Sequence, residues 1–310
     1  MKPDSIYIKF SSRFRTLLSI LLLLFCLMAC SFLGWRVAET YRLSSFASGN
    51  FDGERALRDV QFQVSLGSRT PNSPAHAQVV EWIQQELTAA GWQAEVQNAT
   101  LMGHPIQNVI ASRSNQPPAI VLAAHYDSRI AADHDPDPAR RSLPVPGAND
   151  GASGVAILLE LARSLPRTSI PVWLVFLDAE DNGGLPGWDW LLGSRAFVSA
   201  FTQKPRAVIV LDMIGDADLN IYYEWNSDLQ LNKEIWAKAA ELEHTDVFIP
   251  VPKYRMLDDH IPFIEAGIPA VDIIDFDYPY WHTTADTSDK ISAASLQTVG
   301  ETMLGWILDE

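Results

Sequence analysis

The stretch PVWLVFLDAEDNGG, Pro171 to Gly184, decides the fold. Its apolar run, Val172 to Leu177, is mostly β-branched or aromatic and is bounded by Pro on one side and Gly-Gly on the other. That is the pattern of a strand buried on both faces. The run stops abruptly at Asp178, Ala179, Glu180 and Asp181. Neighbouring carboxylates repel one another and lose hydration where a buried strand emerges. In open α/β sheets, ligands bind in the crevice beyond the carboxyl ends of the strands. Taken alone, the stretch reads equally well as an acidic, solvated loop. Its neighbours separate the two readings.

On either side the pattern is strand, loop, helix. Upstream, Ala119 to Ala124 reads as a strand ending in His125-Tyr126-Asp127, and a loop rich in Asp, Pro and Arg runs on to Pro146. The turn Gly147-Ala148-Asn149-Asp150-Gly151 leads into a helix over Val155 to Ser164. Downstream come a loop with Trp188 and Trp190, a helix over Ser194 to Phe201, and a strand over Ala207 to Leu211 that ends in Asp212-Met213-Ile214-Gly215. Leu229 to Leu242 is amphipathic, Asp258-Asp259-His260 precedes a short helix, Ala270 to Ile274 is a strand, and Ser295 to Leu308 closes the chain as a helix. Before all of these, Ser73-Pro74 caps a helix, and Trp92 to Leu101 with Ile106 to Ser112 form two antiparallel strands. Such alternation predicts one three-layer α/β domain, with a mixed, mainly parallel sheet and helices on both faces.

Residues 1–36 stand apart. Lys2, Lys9, Arg13 and Arg15 precede an uncharged run from Leu17 to Trp35, about long enough to cross a bilayer. The basic flank predicts a cytoplasmic N-terminus and an exported domain over 37–310, held to the membrane by this helix. A cleaved signal peptide is one alternative. A lipoprotein is another, since Leu27-Met28-Ala29-Cys30 resembles a lipobox. Both cysteines, Cys26 and Cys30, lie in this segment, so a metal site in the exported domain must use His and carboxylates. The 310-residue chain carries a net charge of −15; its first 36 residues hold five basic side chains against one acidic, leaving −19 on the remainder. That charge argues against nucleic-acid binding.

Five strand ends or adjoining turns carry groups that ligate metals: His125 with Asp127, Asp150, Glu180 with Asp181, Asp212, and His282. Without thiolates, zinc is held by imidazole nitrogen and carboxylate oxygen. Each residue also has a plainer reading: His125 as a core histidine, Asp150 as a turn former or helix cap, Asp212 as a strand cap. The tryptophans Trp188, Trp190 and Trp281 read either as pocket walls or as packing. His260 is a rival ligand, although its context also fits helix initiation. His76, His104, His134 and His244 lie in helix or loop contexts and are expected at the surface.

The order His-x-Asp, Gly-Ala-Asn-Asp-Gly, Glu-Asp, Leu-Asp-Met-Ile-Gly, Asp-Asp-His-Ile-Pro-Phe and Trp-His-Thr resembles the zinc-dependent exopeptidases of peptidase family M28, from about Gly67 to the C-terminus. The resemblance implies the zinc exopeptidase, phosphorylase/hydrolase-like fold. It is nearest to the glutaminyl-peptide cyclotransferase (glutaminyl cyclase) branch, acyltransferases that convert the N-terminal glutamine of peptides to pyroglutamate with release of ammonia. That branch implies one zinc on Asp150, Asp181 and His282, with Glu180 as general acid/base, a hydrogen-bonded Asp212–Asp258 pair beside it, and Trp281, Trp188 and Trp190 around the pocket. The alternative is an aminopeptidase, a hydrolase of N-terminal residues. It implies two zincs bridged by Asp150, with His125 and Asp212 on the second. The long insert before Gly193-Ser194, the Asp258–Phe263 run and Trp281 beside His282 favour the cyclase. Asp181 stands where many relatives have Glu.

Overall fold

Four strands carry the site, and each is apolar almost without interruption. β3 (Ile120–His125), β4 (Val172–Leu177), β5 (Ala207–Asp212) and β8 (Ala270–Ile274) lie parallel in the order β4-β3-β5-β8. Alternate side chains divide between two cores, as the two-residue period of a strand requires. Ile120, Leu122, Ala124, Ile209, Leu211 and Ile273 enter the larger one. Val121, Ala123, Val208, Val210 and Ala270 enter the smaller one on the opposite face. A fully buried aliphatic side chain contributes roughly 1.5–3 kcal/mol, so the sheet interior supports the charged rim above it.

The computed structural model describes residues 50–167 and 170–310. The basic flank, the apolar run from Leu17 to Trp35 and the lipobox-like segment lie outside the described residues. Among the described residues, no helix is long and apolar enough to cross a membrane.

Two further strands complete the sheet on one edge. β1 (Gln93–Leu101) and β2 (His104–Ser112) form a hairpin through Met102-Gly103, both with positive φ, as a two-residue hairpin turn demands. β2 pairs antiparallel with β4. Helices α1 (Gly53–Ser65), α2 (Pro74–Ala89), α3 (Ala152–Ser164), α5 (Leu229–Glu241) and α7 (Ala293–Leu308) supply residues to the larger core. Helices α4 (Leu192–Ala200) and α6 (His260–Glu265) pack on the other face through Phe197 and Phe263. This is the three-layer arrangement predicted from the strand–helix alternation.

Two differences from the sequence reading are informative. Helices α3 and α7 begin two or three residues earlier than their apolar stripes: α3 starts at Ala152, directly after Gly151, and Ser292 caps α7 by accepting from the Ala294 and Ser295 amides. A separate parallel pair, β6 (Ile221–Tyr223) with β7 (Phe248–Pro252), was not predicted. At three and five residues, with a register shift, it has too short a period to register in the sequence.

Candidate active site

The carboxyl ends of β3, β4 and β5 open onto one crevice, and the residues just beyond them face each other across it. His125, the last residue of β3, is buried. Its Nδ1 lies 3.4 Å from Asp127 Oδ1, and its Nε2 lies 3.1 Å from Asp150 Oδ1 and 3.2 Å from Asp212 Oδ1. Asp127 also accepts the amides of Glu180 (3.1 Å) and Asp181 (3.4 Å) and the Asn182 side chain (3.2 Å). It therefore ties the end of β3 to the acidic loop after β4.

Asp150 precedes Gly151, whose φ of +89° suits glycine and where an added Cβ would meet Asp127 O and His125 Cε1 at 2.9 Å. The turn is anchored from both sides. Asp286 accepts the amides of Asn149 (2.9 Å) and Asp150 (3.2 Å). Arg69, fully buried, donates to Tyr126 O (2.9 Å), Pro146 O (2.9 Å) and Gly147 O (2.6 Å). Neither anchor carries a sequence signal, because both act across long separations.

Asp181 and His282 meet Asp150 from the far side of the crevice. His282 Nε2 lies 2.7 Å from Asp181 Oδ1 and 3.7 Å from Asp150 Oδ2. Ala179, Met213 and His282 all hold positive φ without being glycine. Such backbone is unfavourable and persists where surrounding contacts impose it, often at functional sites.

The ligand-type atoms form two groups that share one residue. Asp150, Asp181 and His282 have atoms within 4.8 Å of one another, as do His125, Asp150 and Asp212. Asp150 turns the oxygen bonded to His125 one way and its other oxygen toward His282. That second oxygen, Asp150 Oδ2, and Asp181 Oδ2 are buried without a hydrogen-bond partner. Orphaned buried carboxylate oxygens are costly unless a cation meets them. One nitrogen and two carboxylates at this separation suit a divalent metal of borderline hardness.

Glu180 sits beside this group but outside it. Burial raises its carboxyl well above the usual range; His125 opposes the shift, and the charges of Asp181, Asp258 and Asp259 add to it. Burial and the Asp212 carboxylate push Asp258 up to about 7. Asp212 and Asp258 were expected to share a hydrogen bond. Asp212 instead bonds to His125, and Asp258 accepts the Asp259 amide; the two remain coupled through charge. A cavity of about 230 Å³ opens over Asp150, Glu180, Asp181 and His282, walled by Trp190, Trp281, Phe276, Ile274, Met256 and Leu257.

A family model described as "Peptidase family M28" matches residues 108–307, which span the whole crevice. The chain belongs to peptidase family M28. Among M28-type structures, it is similar to the glutaminyl cyclase of Tannerella forsythia, with 34% identity and a TM-score of 0.79 over 84% of this chain and 99% of that one. It is likewise similar to a leucine aminopeptidase precursor from Bacteroides thetaiotaomicron, with 32% identity and a TM-score of 0.80 over 84% and 98%. A relative by sequence is the glutaminyl-peptide cyclotransferase of Boiga dendrophila, 26% identical over 79% of this chain and 78% of that protein.

Within this M28 site, Asp150, Asp181, His282, His125, Asp212, Glu180 and Asp258 lie together around the crevice, and Trp190 and Trp281 wall it. Trp188 does not. It stacks on His104 with ring centroids 3.6 Å apart and packs beside the small cluster of Ile106, Ala179, Leu192 and Ala196. A turn closed by the Trp188 amide on Leu185 O precedes the pair, and the two rings go to different places. His76, expected at the surface, is buried under the acidic loop, 2.7 Å from Asp178 Oδ1 and 3.1 Å from the Tyr126 hydroxyl.

His260 is placed away from Asp150. It is grouped with Asp258 and Asp272, its Nε2 lies 3.1 Å from Glu224 Oε2, and all of these are buried. Glu224 also accepts the amides of Asn226 (2.8 Å), Ser227 (2.7 Å) and Met256 (2.8 Å), which fastens the pocket wall. Burial alone would raise its pKa, but the hydrogen bonds from His260 and these amides bring it down to about 2. A carboxyl depressed in the fold stabilises fully above its unfolded pKa, near 4.5 here, and loses that contribution as pH falls toward 2. Glu224→Gln is therefore expected to destabilise the protein more at neutral pH than at about pH 3 in urea unfolding. An equal effect at both would mean that the charge on Glu224 contributes nothing.

Proposed function

We propose that the protein is a zinc-dependent glutaminyl-peptide cyclotransferase, which closes the N-terminal glutamine of peptides to pyroglutamate and releases ammonia. The observation that carries this reading is the asymmetry of the two ligand groups. Both orphaned oxygens, Asp150 Oδ2 and Asp181 Oδ2, belong to the group that contains His282. In the other group, the oxygens that face His125 Nε2, Asp150 Oδ1 and Asp212 Oδ1, both already have that nitrogen as a partner. The oxygens that lack a partner are the ones turned toward His282, so one ion, on Asp150, Asp181 and His282, fits better than two. The similarity to bacterial and animal glutaminyl cyclases points the same way.

A zinc ion on those three residues would supply Lewis-acid polarisation of the glutamine γ-carbonyl. The chain's own groups handle the proton. Glu180 accepts it from the α-amine as the bond from that nitrogen to the side-chain carbonyl carbon, Cδ, forms, and returns it to the amide nitrogen as the Cδ–Nε2 bond breaks and ammonia leaves. Burial raises the Glu180 carboxyl, which favours its holding the proton between the two halves of that task. Trp190 and Trp281 close the pocket around the short side chain, which favours the cyclic approach of amine and carbonyl.

The second reading is an aminopeptidase. It is favoured by the His125–Asp150–Asp212 group, which lies within ligand range of a second ion, and by the similarity to the aminopeptidase precursor. Incubating the zinc-loaded protein with a Gln-initiated and a Leu-initiated peptide separates the two. Ammonia from the first alone is the expected result; free leucine from the second would overturn it in favour of hydrolysis. The basic flank and apolar run of residues 1–36 support placing this activity outside the cytoplasm, at a membrane surface, on peptide or protein N-termini.

A further inference from the structure

We propose that Asp133, gripped by Arg129, is a positioning residue for His282. It takes the Nδ1–H of that ring and so fixes Nε2 toward Asp150 and Asp181. The inference rests on the three-ligand metal site above and is independent of which substrate is turned over.

The starting point is an unmatched atom. His282 is buried, its Nε2 faces the two carboxylates, and its Nδ1 has no hydrogen-bond partner. A histidine that ligates through one nitrogen generally donates the other to a carboxylate or carbonyl, which sets both tautomer and ring orientation. Asp133 Oδ1 lies 3.6 Å from this Nδ1. A shift of about 0.4 Å brings the pair into hydrogen-bond range.

The ring's surroundings leave that role open. Trp281 stacks on it at 3.7 Å and Trp190 lies near-parallel at 6.1 Å, so its plane is held. Stacking on apolar faces does not decide which edge faces Asp181. The backbone is held separately, since the His134 amide donates to His282 O at 3.2 Å. A partner for Nδ1 fixes the ring edge that the Nε2 contact to Asp181 uses.

Asp133 is itself held in place. Arg129 grips it with a two-pronged contact, Nε to Oδ1 at 2.8 Å and Nη2 to Oδ2 at 2.7 Å. The same guanidinium donates from Nη1 to Asp181 O at 2.7 Å and from Nη1 and Nη2 to Gly183 O at 3.2 Å, and it lies 5.1 Å from the Trp190 ring. One planar cation thus references both the backbone that carries Asp181 and the carboxylate behind His282. The long loop after β3 is tied to the metal group through this pair.

The test measures zinc affinity by chelator competition, with the melting temperature of the metal-free protein as control, for wild type, Asp133→Ala, Asp133→Asn and His282→Ala. Asp133→Ala is expected to weaken zinc by ~10- to 100-fold. Asp133→Asn should recover part of that, because its amide oxygen still accepts from Nδ1–H. The metal-free melting temperature should barely move. Zinc affinity in Asp133→Ala within about twofold of wild type overturns the proposal. So does a loss that Asp133→Asn fails to relieve and that a fall in metal-free stability accompanies. His282→Ala separates the two levels: if it too leaves affinity unchanged, the metal site itself is misassigned, whereas its loss of zinc beside an intact Asp133→Ala refutes only the positioning role.

Discussion

Replacing Glu180 by Gln is expected to lower turnover by ~10²- to 10⁴-fold, the usual contribution of a positioned acid/base, while the protein keeps its zinc. The two halves of this expectation come from separate observations. Glu180 is outside the Asp150–Asp181–His282 group, so its charge is not needed to hold the ion. Its backbone is fixed by the hydrogen bond that its N–H donates to Asp127 Oδ1, and its side chain lines the cavity. Gln has nearly the same shape, so packing is preserved, but it cannot take a proton from an amine and return it. The measurement is ammonia release from a Gln-initiated peptide, with zinc content determined on the same sample. Retention of a tenth or more of wild-type turnover would remove Glu180 from the proton path. Loss of zinc along with activity would instead make it part of the metal site.

Replacing His282 by Ala is expected to have the larger effect on the protein as a whole. It removes the only nitrogen of the metal group and leaves Asp150 and Asp181 facing each other in a buried crevice. Burial and the Asp150 charge already push Asp181 up to about 6, against the opposing pull of His282. Without the imidazole that pull is gone, so the carboxylates favour protons over a metal. Zinc affinity should fall by more than the ~10–100-fold typical of losing an outer partner. Activity should vanish at ordinary zinc concentrations. The rise in melting temperature that zinc confers on the wild type should disappear as well, since a ligand stabilises only the state that binds it. Stoichiometric zinc at wild-type affinity in His282→Ala would show that the ion sits elsewhere.

The histidines show where sequence reading succeeds and where it stops. His125 and His282 each adjoin a strand end or an aromatic loop in acidic company, and both lie in the crevice. His76 sits on an ordinary helix, and its partner Asp178 is 102 positions away, so its burial has no local signature. Similarly long separations hide Arg69 and Asp286, which hold the turn bearing Asp150 through backbone groups of any residue type. Trp188 and Trp190 look alike in sequence, and only the path of the chain puts Trp190 in the cavity wall and Trp188 on His104.

By itself the sequence determined the layered sheet, the strands that carry charged groups on their ends, and the family to which that order belongs. These depend on local period and short motifs, and an apolar run with no polar side has one stable environment, a sheet covered on both faces. Tertiary structure alone decided which oxygen of Asp150 faces His282, which groups are left without partners, and that Asp133 stands behind the imidazole. Those are matters of ångströms between chain segments distant in sequence. Hydrogen bonds and metal coordination are made or lost over such distances, and no local pattern of residues encodes them.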